Sequence, residues 1–375
     1  MSLLTPYFIN APLHALNYCT LLLMCGIAAS TYFSLSLLAI LCFVIVIPIS
    51  LYLQRLPIAL LFLASFMTGA WRYQTSMENH LEFSQRMNNK PFKMRGVILS
   101  IEPQDHPRMK QKMTINAYSF TPEGESEYET QRTIQIYLSK RTDAKVADKI
   151  EIDSMLLKKN KNPSYEQYLI KEQISATLFL PALDYTLISR PTISFTRWLF
   201  YFKENLLYRC KKKLSRATFS FFSSVFLGNR MQEKKQMEKP KNNCKTWGIS
   251  HYLARSGLHM VIFICIWYFI LNLLPISFRL KQIILIGIGL VYHFLSWPSI
   301  SFIRALYSFL LFKSCTLLKV PSQLLHLLTI VTIVVLVHNP MQLFFLDFQL
   351  SFGLTFALAW FNHVAIQQSF LAAKC

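Results

Sequence analysis

Apolar and polar positions divide the chain into three blocks. Runs with hardly any charge fill the first 71 residues and most of the chain after residue 250, and a polar block lies between them. A membrane-spanning helix needs about 20 mostly apolar residues. The pattern predicts a polytopic α-helical membrane protein with eight spans. They are Leu13–Phe33, Ser34–Leu53, Leu56–Trp71, His259–Leu274, Gln282–Trp297, Phe302–Leu318, Leu324–Val337 and Phe344–Phe361.

The first half of the polar block has the pattern of β-strands. Here β-branched and aromatic residues partly alternate with polar ones. A short helix, Ser164–Ile170, is expected between the fourth and fifth strands. Five short strands in so short a segment suit a small β-barrel such as an OB-fold. The predicted strands are Phe92–Ile101, Lys112–Phe120, Thr133–Leu138, Lys149–Leu157 and Ile174–Leu180.

The predicted barrel has two open interpretations. OB-folds often bind single-stranded nucleic acid. Residues 91–189 nevertheless hold 14 basic and 13 acidic residues, a net charge of only +1. A purely structural barrel is therefore as good an interpretation as a DNA-binding one.

Positive charge is concentrated just after the strands. The whole chain carries a net charge of +20, although 53% of it is hydrophobic. Residues 190–245 contribute 14 basic and 3 acidic residues. Within them Phe195, Trp198, Leu199, Phe202, Leu206 and Cys210 recur at helical spacing. Cations lie mostly on the other sides of this predicted helix. We call them, together with the neighbouring Lys213, the basic collar: Arg197, Lys203, Arg209, Lys211, Lys212, Lys213 and Arg216.

A basic, aromatic-rich amphipathic helix is typical of the membrane interface. One interpretation of the basic collar is anchoring to anionic lipid. The other is an electrostatic collar that draws a polyanion toward the spans. The same cations can serve both, and both interpretations stay open.

Charges in the short loops predict the orientation. Lys and Arg favour the cytoplasmic side, and an N-inside arrangement places Arg55, Arg279, Lys281 and Lys374 there. Residues 72–250 are then periplasmic, in a protein of the plasma (inner) membrane. No basic segment precedes the first apolar run, so no cleavable signal peptide is expected. In the periplasm a disulfide between Cys210 and Cys244 is an option.

Five short segments, in one order, resemble motifs of the ComEC family of competence proteins. His251–His259 is similar to the family's H-L-L-A-x-S-G-L-H segment, and Phe226–Arg230 resembles its L-L-G-D-R turn. Arg304-Ala305 follows Pro298-Ser299 as in the P-S-x-x-R-A element, with two extra residues. Phe348–Phe352, after Asn339-Pro340, resembles the N-P…F-Q-L-S-F element. Asn162–Leu169 resembles the N-P-G-x-F-D-Y-x-x-Y-L element, with a shorter spacing.

This resemblance implies a channel that passes single-stranded DNA from periplasm to cytoplasm during natural transformation. It divides the chain into three N-terminal transmembrane helices (1–72), an OB-like domain (91–189), a basic amphipathic segment (190–245) and a competence-type transmembrane domain (246–375). The sequence departs from the family at Arg255, usually aliphatic, at Ala147, usually glycine, and at Asp347, usually glycine. The H-x-H-x-D-H motif of the family's metallo-β-lactamase-like domain is absent, so a truncated or split copy is expected.

Ionisable residues near a span are functional candidates by default. The candidates for the DNA path are Arg304, Arg255, His259, Gln349 and Ser351. An arginine is always charged and can bind phosphate through two hydrogen bonds. The alternative for Arg304 is an ion pair with Asp347. Gln349 and Ser351 have the alternative of bonds between helices.

Three further motif residues have a structural interpretation. We expect Gly257 to allow close helix packing, with Ser256 and His259 bonding across helices. A Ser256–His259 nucleophile is disfavoured, because no orienting acid is near in sequence. His251 and His259 lack a zinc-site spacing. The sequence thus predicts neither enzymatic activity nor a metal or other cofactor.

The expected partners are single-stranded DNA and membrane lipid, with other competence proteins and a second copy of the chain as further options. No G-x-x-x-x-G-K-[ST] loop is present, so an ATP-driven step would come from a separate cytoplasmic motor protein. Two alternatives remain to a DNA channel. They are a small-solute transporter and a remnant that no longer transports.

Overall fold

The computed structural model describes residues 11–41, 56–87, 90–104, 108–157, 162–228, 242–243, 245–247, 257–297 and 299–372. Contacts divide the chain into two units. The helical unit comprises Met1–Met77 and Arg255–Cys375, and the sheet unit comprises Glu78–Ala254. Each has its own apolar core.

The helical unit is built from apolar helices. They are α1 (Ala11–Ala29), the first part of α2 (Leu56–Met87), α6 (Gly257–Asn272), α7 (Phe278–Leu295), α8 (Ile300–Leu318), α9 (Leu324–His338) and α10 (Leu346–Ala372). A 3-10 turn, Pro340–Phe344, joins the last two, and residues 35–41 are also helical. Ser277 and Ser299 cap α7 and α8 by accepting backbone N–H groups of the first turn.

Two helices in the described part of the chain, α7 and α8, are long and apolar enough to cross a membrane. Three further apolar stretches are shorter, namely Leu16–Ala29, Gly257–Asn272 and Leu324–His338. These five coincide with five of the eight predicted spans. The expected second span lies largely outside the described residues.

Two glycines let α1 and α2 approach each other closely. A Cβ atom at Gly26 would lie 2.0 Å from the carbonyl oxygen of Phe66, and one at Gly69 would lie 2.2 Å from that of Leu23. No side chain fits at such distances. Small residues at helix crossings are the common packing device of membrane helices.

The sheet unit contains six strands. They are β1 (Pro91–Pro103), β2 (Gln111–Pro122), β3 (Tyr128–Leu138), β4 (Lys149–Leu156), β5 (Ile174–Leu180) and β6 (Thr186–Ser189). Helix α3 (Pro163–Lys171) precedes β5, while α4 (Phe195–Lys213), α5 (Arg216–Phe222) and a π-helical turn (Ser223–Leu227) follow β6. All five predicted strands and the short helix are present; β6 is additional.

The sheet is open and mixed, so the expectation of a closed barrel was wrong. Its strand order is β5-β3-β2-β1-β4-β6, with β5 parallel to β3 and the other described pairs antiparallel. Closure would require β5 to pair with β4. That edge of β4 is occupied by β6, which pairs antiparallel to it at Ile150 and Leu187. The sequence pattern missed β6 because it has only four residues, all of them exposed.

The core of the sheet unit follows from alternation along the strands. Every second residue of β1 from Phe92 to Ile98, Gly96 included, is buried. Phe83 and Met87 at the end of α2 pack into the same core, and the ring of Phe83 meets that of Phe120 edge-on at 5.0 Å.

Candidate functional site: an arginine between helices and a basic amphipathic helix

Arg304 is a charged residue that packs between helices of the helical unit. It lies in the second turn of α8, half-buried. Its Nη1 donates to the carbonyl oxygen of Ser351 and to the hydroxyl of Thr355, both on α10. Its guanidinium also lies 5.9 Å from the centre of the Phe352 ring. Arg304 therefore ties α8 to α10.

The start of α6 touches the same guanidinium. Gly257 is buried, and a Cβ there would lie 3.3 Å from Nη2 of Arg304 and 3.2 Å from the Cβ of Ala305. A side chain at 257 would press on both residues. The small size of Gly257 thus lets α6 pack against α8 beside the charged group.

Arg304 retains donors for a further acceptor. A guanidinium carries five N–H groups. Among the described residues, Nε and Nη2 of Arg304 have no hydrogen-bond partner, and the hydroxyl of neighbouring Ser351 is buried without one. The arrangement can therefore offer both a fixed positive charge and unused donors to an anion.

Of the other predicted path residues, the structure describes Gln349, Ser351 and His259. Gln349 is exposed and donates from Nε2 to the carbonyl oxygen of Leu343 at 2.9 Å, so it closes the 3-10 turn. Ser351 is half-buried and does not share a side of α10 with Gln349, because residues two apart point in different directions. His259 is half-buried in the first turn of α6. Arg255, His251 and Ser256 lie outside the described residues.

Arg197, from the basic collar, is part of an internal clasp. The carboxylate of Asp148 is fully buried and receives Nη2 of Arg197 at 2.6 Å, Nη2 of Arg190 at 2.7 Å and the backbone N–H of Lys145 at 2.9 Å. Arg197 also donates to the carbonyl oxygens of Val146 and Pro191. The Asp148 clasp thus fixes the first turn of α4 to the sheet.

The clasp determines the ionisation of Asp148. Burial acts to raise the pKa of this carboxyl, but hydrogen bonds from Arg190 and the Lys145 amide, with the positive charges of Arg190 and Arg197, outweigh burial and lower it. The carboxylate is therefore charged at neutral pH. Ala147, just before it, has a left-handed backbone with φ of 67°, which explains why a glycine suits this position.

The remaining collar residues differ in exposure. Lys203 is half-buried, and Lys211 lies 5.9 Å from the centre of the Phe219 ring. Arg209, Lys212 and Lys213 are exposed, and no hydrogen bond or ion pair joins them to another described residue. Arg216 is exposed at the start of α5. Free positive charge in this unit is therefore found near the C-terminal end of α4. Cys210 nearby is a free thiol, and Cys244 lies outside the described residues.

Two cations of β1, Lys93 and Arg95, are paired with acids. Lys93 lies 2.5 Å from Glu151 and 2.8 Å from Asp153, and Arg95 binds Glu151 and lies 3.1 Å from Glu127. Pairing removes the excess charge that a polyanion would need. This part of the sheet supports the structural interpretation of the domain.

A cavity of about 410 Å³ in the sheet unit has no counterpart in the sequence-based expectations. Its polar lining includes His80, Glu166, Tyr165 and Thr177, and the Tyr165 hydroxyl donates to that of Thr177 at 3.1 Å. Burial lowers the pKa of His80; the charge of Glu166 acts to raise it, and the charge of Arg132 lowers it further. The cavity lining contains no lysine or arginine, so it does not suit a phosphate. Within the described ranges, no group of three or more His, Cys, Asp or Glu residues could hold a metal ion.

Comparison with known proteins agrees with the sequence motifs. Residues 226–374 match the family model of the competence protein, the core domain of ComEC. No metallo-β-lactamase domain is detected. No curated protein and no solved structure matches the chain. The matched segment contains α6 to α10 and, with them, Arg304 and Gly257. Over residues 226–374, this chain carries the core domain of the ComEC competence family.

Proposed function

We propose that the protein is an inner-membrane channel component that passes single-stranded DNA from the periplasm to the cytoplasm during natural transformation. Competence-family membership suggests a role in DNA uptake. The observation that carries the proposal is the position of Arg304, a permanent cation with unused donors on a helix long and apolar enough to span a membrane. Such residues are rare in spans and mark ion or substrate paths.

Arg304 has two roles in this proposal. Its Nη1 holds α10 against α8 through Ser351 and Thr355. Its Nη2 and Nε offer charged donors to a passing phosphate, which accepts them well. A DNA strand carries one phosphate per nucleotide. A single fixed cation can therefore bind one phosphate after another as the strand passes, without retaining the strand.

The charges at the end of α4 have a place on the entry side. With residues 72–250 in the periplasm, Arg209, Lys212 and Lys213 would lie on the side of the membrane from which DNA arrives. The chain itself would perform no reaction and need no cofactor. A separate ATP-driven motor in the cytoplasm would supply the energy.

The proposal is tested in a naturally competent host that lacks its own copy of this gene and expresses the present chain. Restored transformation would support it, and transformation no higher than in the empty host would reject it. In the restored strain, we expect Arg304→Gln to reduce transformation at least about tenfold at equal protein level, and Arg304→Lys to retain part of it. Arg279→Gln is the matched control, because Arg279 is exposed in the first turn of α7.

Stability must be separated from transport in this test. Thr355→Val removes one acceptor of Arg304 and leaves its charge, so it reports the packing role alone. If Arg304→Gln and Thr355→Val reduce transformation equally, Arg304 acts as a packing residue and the path hypothesis is wrong. Reporter fusions after Lys213 test the orientation, and a cytoplasmic signal would exclude DNA entry from that side.

A further inference from the structure

One side of α4 carries a continuous row of exposed apolar side chains. We call Phe195, Trp198, Phe202 and Leu206 the aromatic ladder; they are 69%, 59%, 45% and 37% exposed. Their spacing of three and four residues places them along one line of the helix. The rings of Phe195 and Trp198 lie 5.9 Å apart and those of Trp198 and Phe202 lie 5.5 Å apart. An exposed row of this length is typical of an interaction surface.

The direction of the ladder is set by contacts on other sides of α4. Leu207 is buried, and Arg197 is bound in the Asp148 clasp. Burial also raises the pKa of Glu204, which is half-buried. The Arg197–Asp148 contact lies within the sheet unit. The ladder therefore projects from a fixed helix.

The same helix places cations beyond the ladder. Arg209 and Lys213 continue its line by three and seven residues after Leu206, and Lys212 lies beside them. All three are exposed and have no described partner. An apolar row that ends in positive charge fits a partner that is apolar inside and anionic at its surface.

Ring geometry favours lipid over DNA bases as this partner. The ring of Trp198 is near-parallel to those of Phe195 and Phe202, at interplanar angles of 24° and 15°, so the three rings already stack partly on one another. Bases bind proteins by stacking on free ring faces, and these faces are partly covered by the neighbouring rings. The exposed parts of the rings, together with Leu206 and the 93% exposed Ile193, suit acyl chains instead.

We propose that α4 lies on an anionic phospholipid surface, with the aromatic ladder inserted among the acyl chains and Arg209, Lys212 and Lys213 at the headgroup phosphates. The inference rests on the proposal above that the chain resides in a membrane. It assigns the aromatic ladder to lipid and leaves Arg304 to the DNA strand.

The test uses the full chain with p-benzoylphenylalanine in place of Phe202, reconstituted in vesicles of phosphatidylglycerol and phosphatidylethanolamine. After illumination, mass spectrometry should find phospholipid adducts at position 202. The same probe at Thr196, which is exposed about 120° away from the ladder on α4, is the matched control and should give few adducts. Equal yields at both positions would overturn the proposal.

Charge dependence gives a second readout. Lys212→Glu/Lys213→Glu should lower the adduct yield at position 202 at least about fivefold, as expected for removing lysines from an anionic surface. Lys140→Glu/Arg141→Glu, at exposed positions outside α4, makes the same change in net charge and should leave the yield unchanged. A yield that is the same in vesicles of phosphatidylcholine alone contradicts the role of the cations.

Added single-stranded DNA separates this inference from the proposed function. Adducts to DNA in place of lipid at position 202 would show that the ladder binds bases, and the lipid assignment would be wrong. Lipid adducts in a chain that fails to restore transformation would reject the channel alone. Transformation without lipid adducts would reject the lipid surface alone.

Discussion

Arg197 and Asp148 are separated by 49 residues in sequence and joined by a hydrogen bond of 2.6 Å between Nη2 and Oδ1. Asp148 immediately precedes β4, and Arg197 lies in the first turn of α4. The pair therefore holds α4, the helix that carries the free cations, in a fixed position on the sheet. Since the carboxylate is fully buried, the bond is well shielded from solvent.

Asp148→Asn should loosen the sheet and α4 together. Removing the charge leaves two arginines facing a neutral group, which costs about 3 kcal/mol for a buried pair. Backbone amides of β4 and α4 should then exchange hydrogen about a hundredfold faster, since each ~1.4 kcal/mol is a factor of about ten. Exchange mass spectrometry on the full chain measures this. Asp153→Asn is the control, because Asp153 is exposed and solvent screens its ion pair with Lys93.

The clasp should also weaken in acid. Folding lowers the pKa of Asp148 below its ordinary value of 3.8. The contribution of Asp148 to the free energy of unfolding is therefore complete above that pH and is lost as the pH falls toward the folded-state pKa. Amide protection of β4, corrected for intrinsic exchange, should fall as the pH is lowered below about 4. Other carboxyls titrate there too, so the difference between the wild type and Asp148→Asn is the quantity to follow. A constant difference across that range would contradict this assignment.

Ala147→Gly should stabilise the sheet unit. Ala147 has φ of 67°, where an L-residue with a Cβ is strained by about 1–2 kcal/mol. Glycine removes the strain but adds freedom to the unfolded chain, so we expect a net gain of about 0.5–1 kcal/mol. Slower exchange of β4 amides measures the gain. Ala182→Gly, at an exposed position with ordinary φ, should give no gain; equal effects would show that strain at Ala147 is not the cause.

Gly69→Ala should separate α1 from α2. The added Cβ would lie 2.2 Å from the carbonyl oxygen of Leu23, and a backbone atom cannot move aside as a flexible side chain can. We expect a loss of more than about 2 kcal/mol, comparable to other overpacked sites. The thermal midpoint of the purified chain in detergent measures it. Gly353→Ala on α10, where the added Cβ meets nothing within 4 Å, should change the midpoint little.

Local pattern predicted much of the fold. Alternation located β1 to β5, and helical spacing located α3 and the ladder of α4. The sequence pattern could not show whether the barrel closes, because closure depends on whether the four-residue strand β6 pairs with the free edge of β4. The role of Arg197 was missed for the same reason, since its partner Asp148 becomes its neighbour only after the sheet forms. Arg304 was found from its charge in an apolar run, while its partners on α10 depend on packing between helices.

Because the Asp148 clasp fixes the first turn of α4, the sheet determines the direction in which each side of α4 faces. Each added residue turns the rest of an α-helix by about 100°. One residue inserted after Phe200 would leave the clasp intact and swing Phe202, Leu206 and the terminal lysines away from the line of Phe195. The number of residues between the clasp and the end of α4 therefore sets the direction in which its apolar side chains and its cations project. A one-residue shift would turn both away from their present direction.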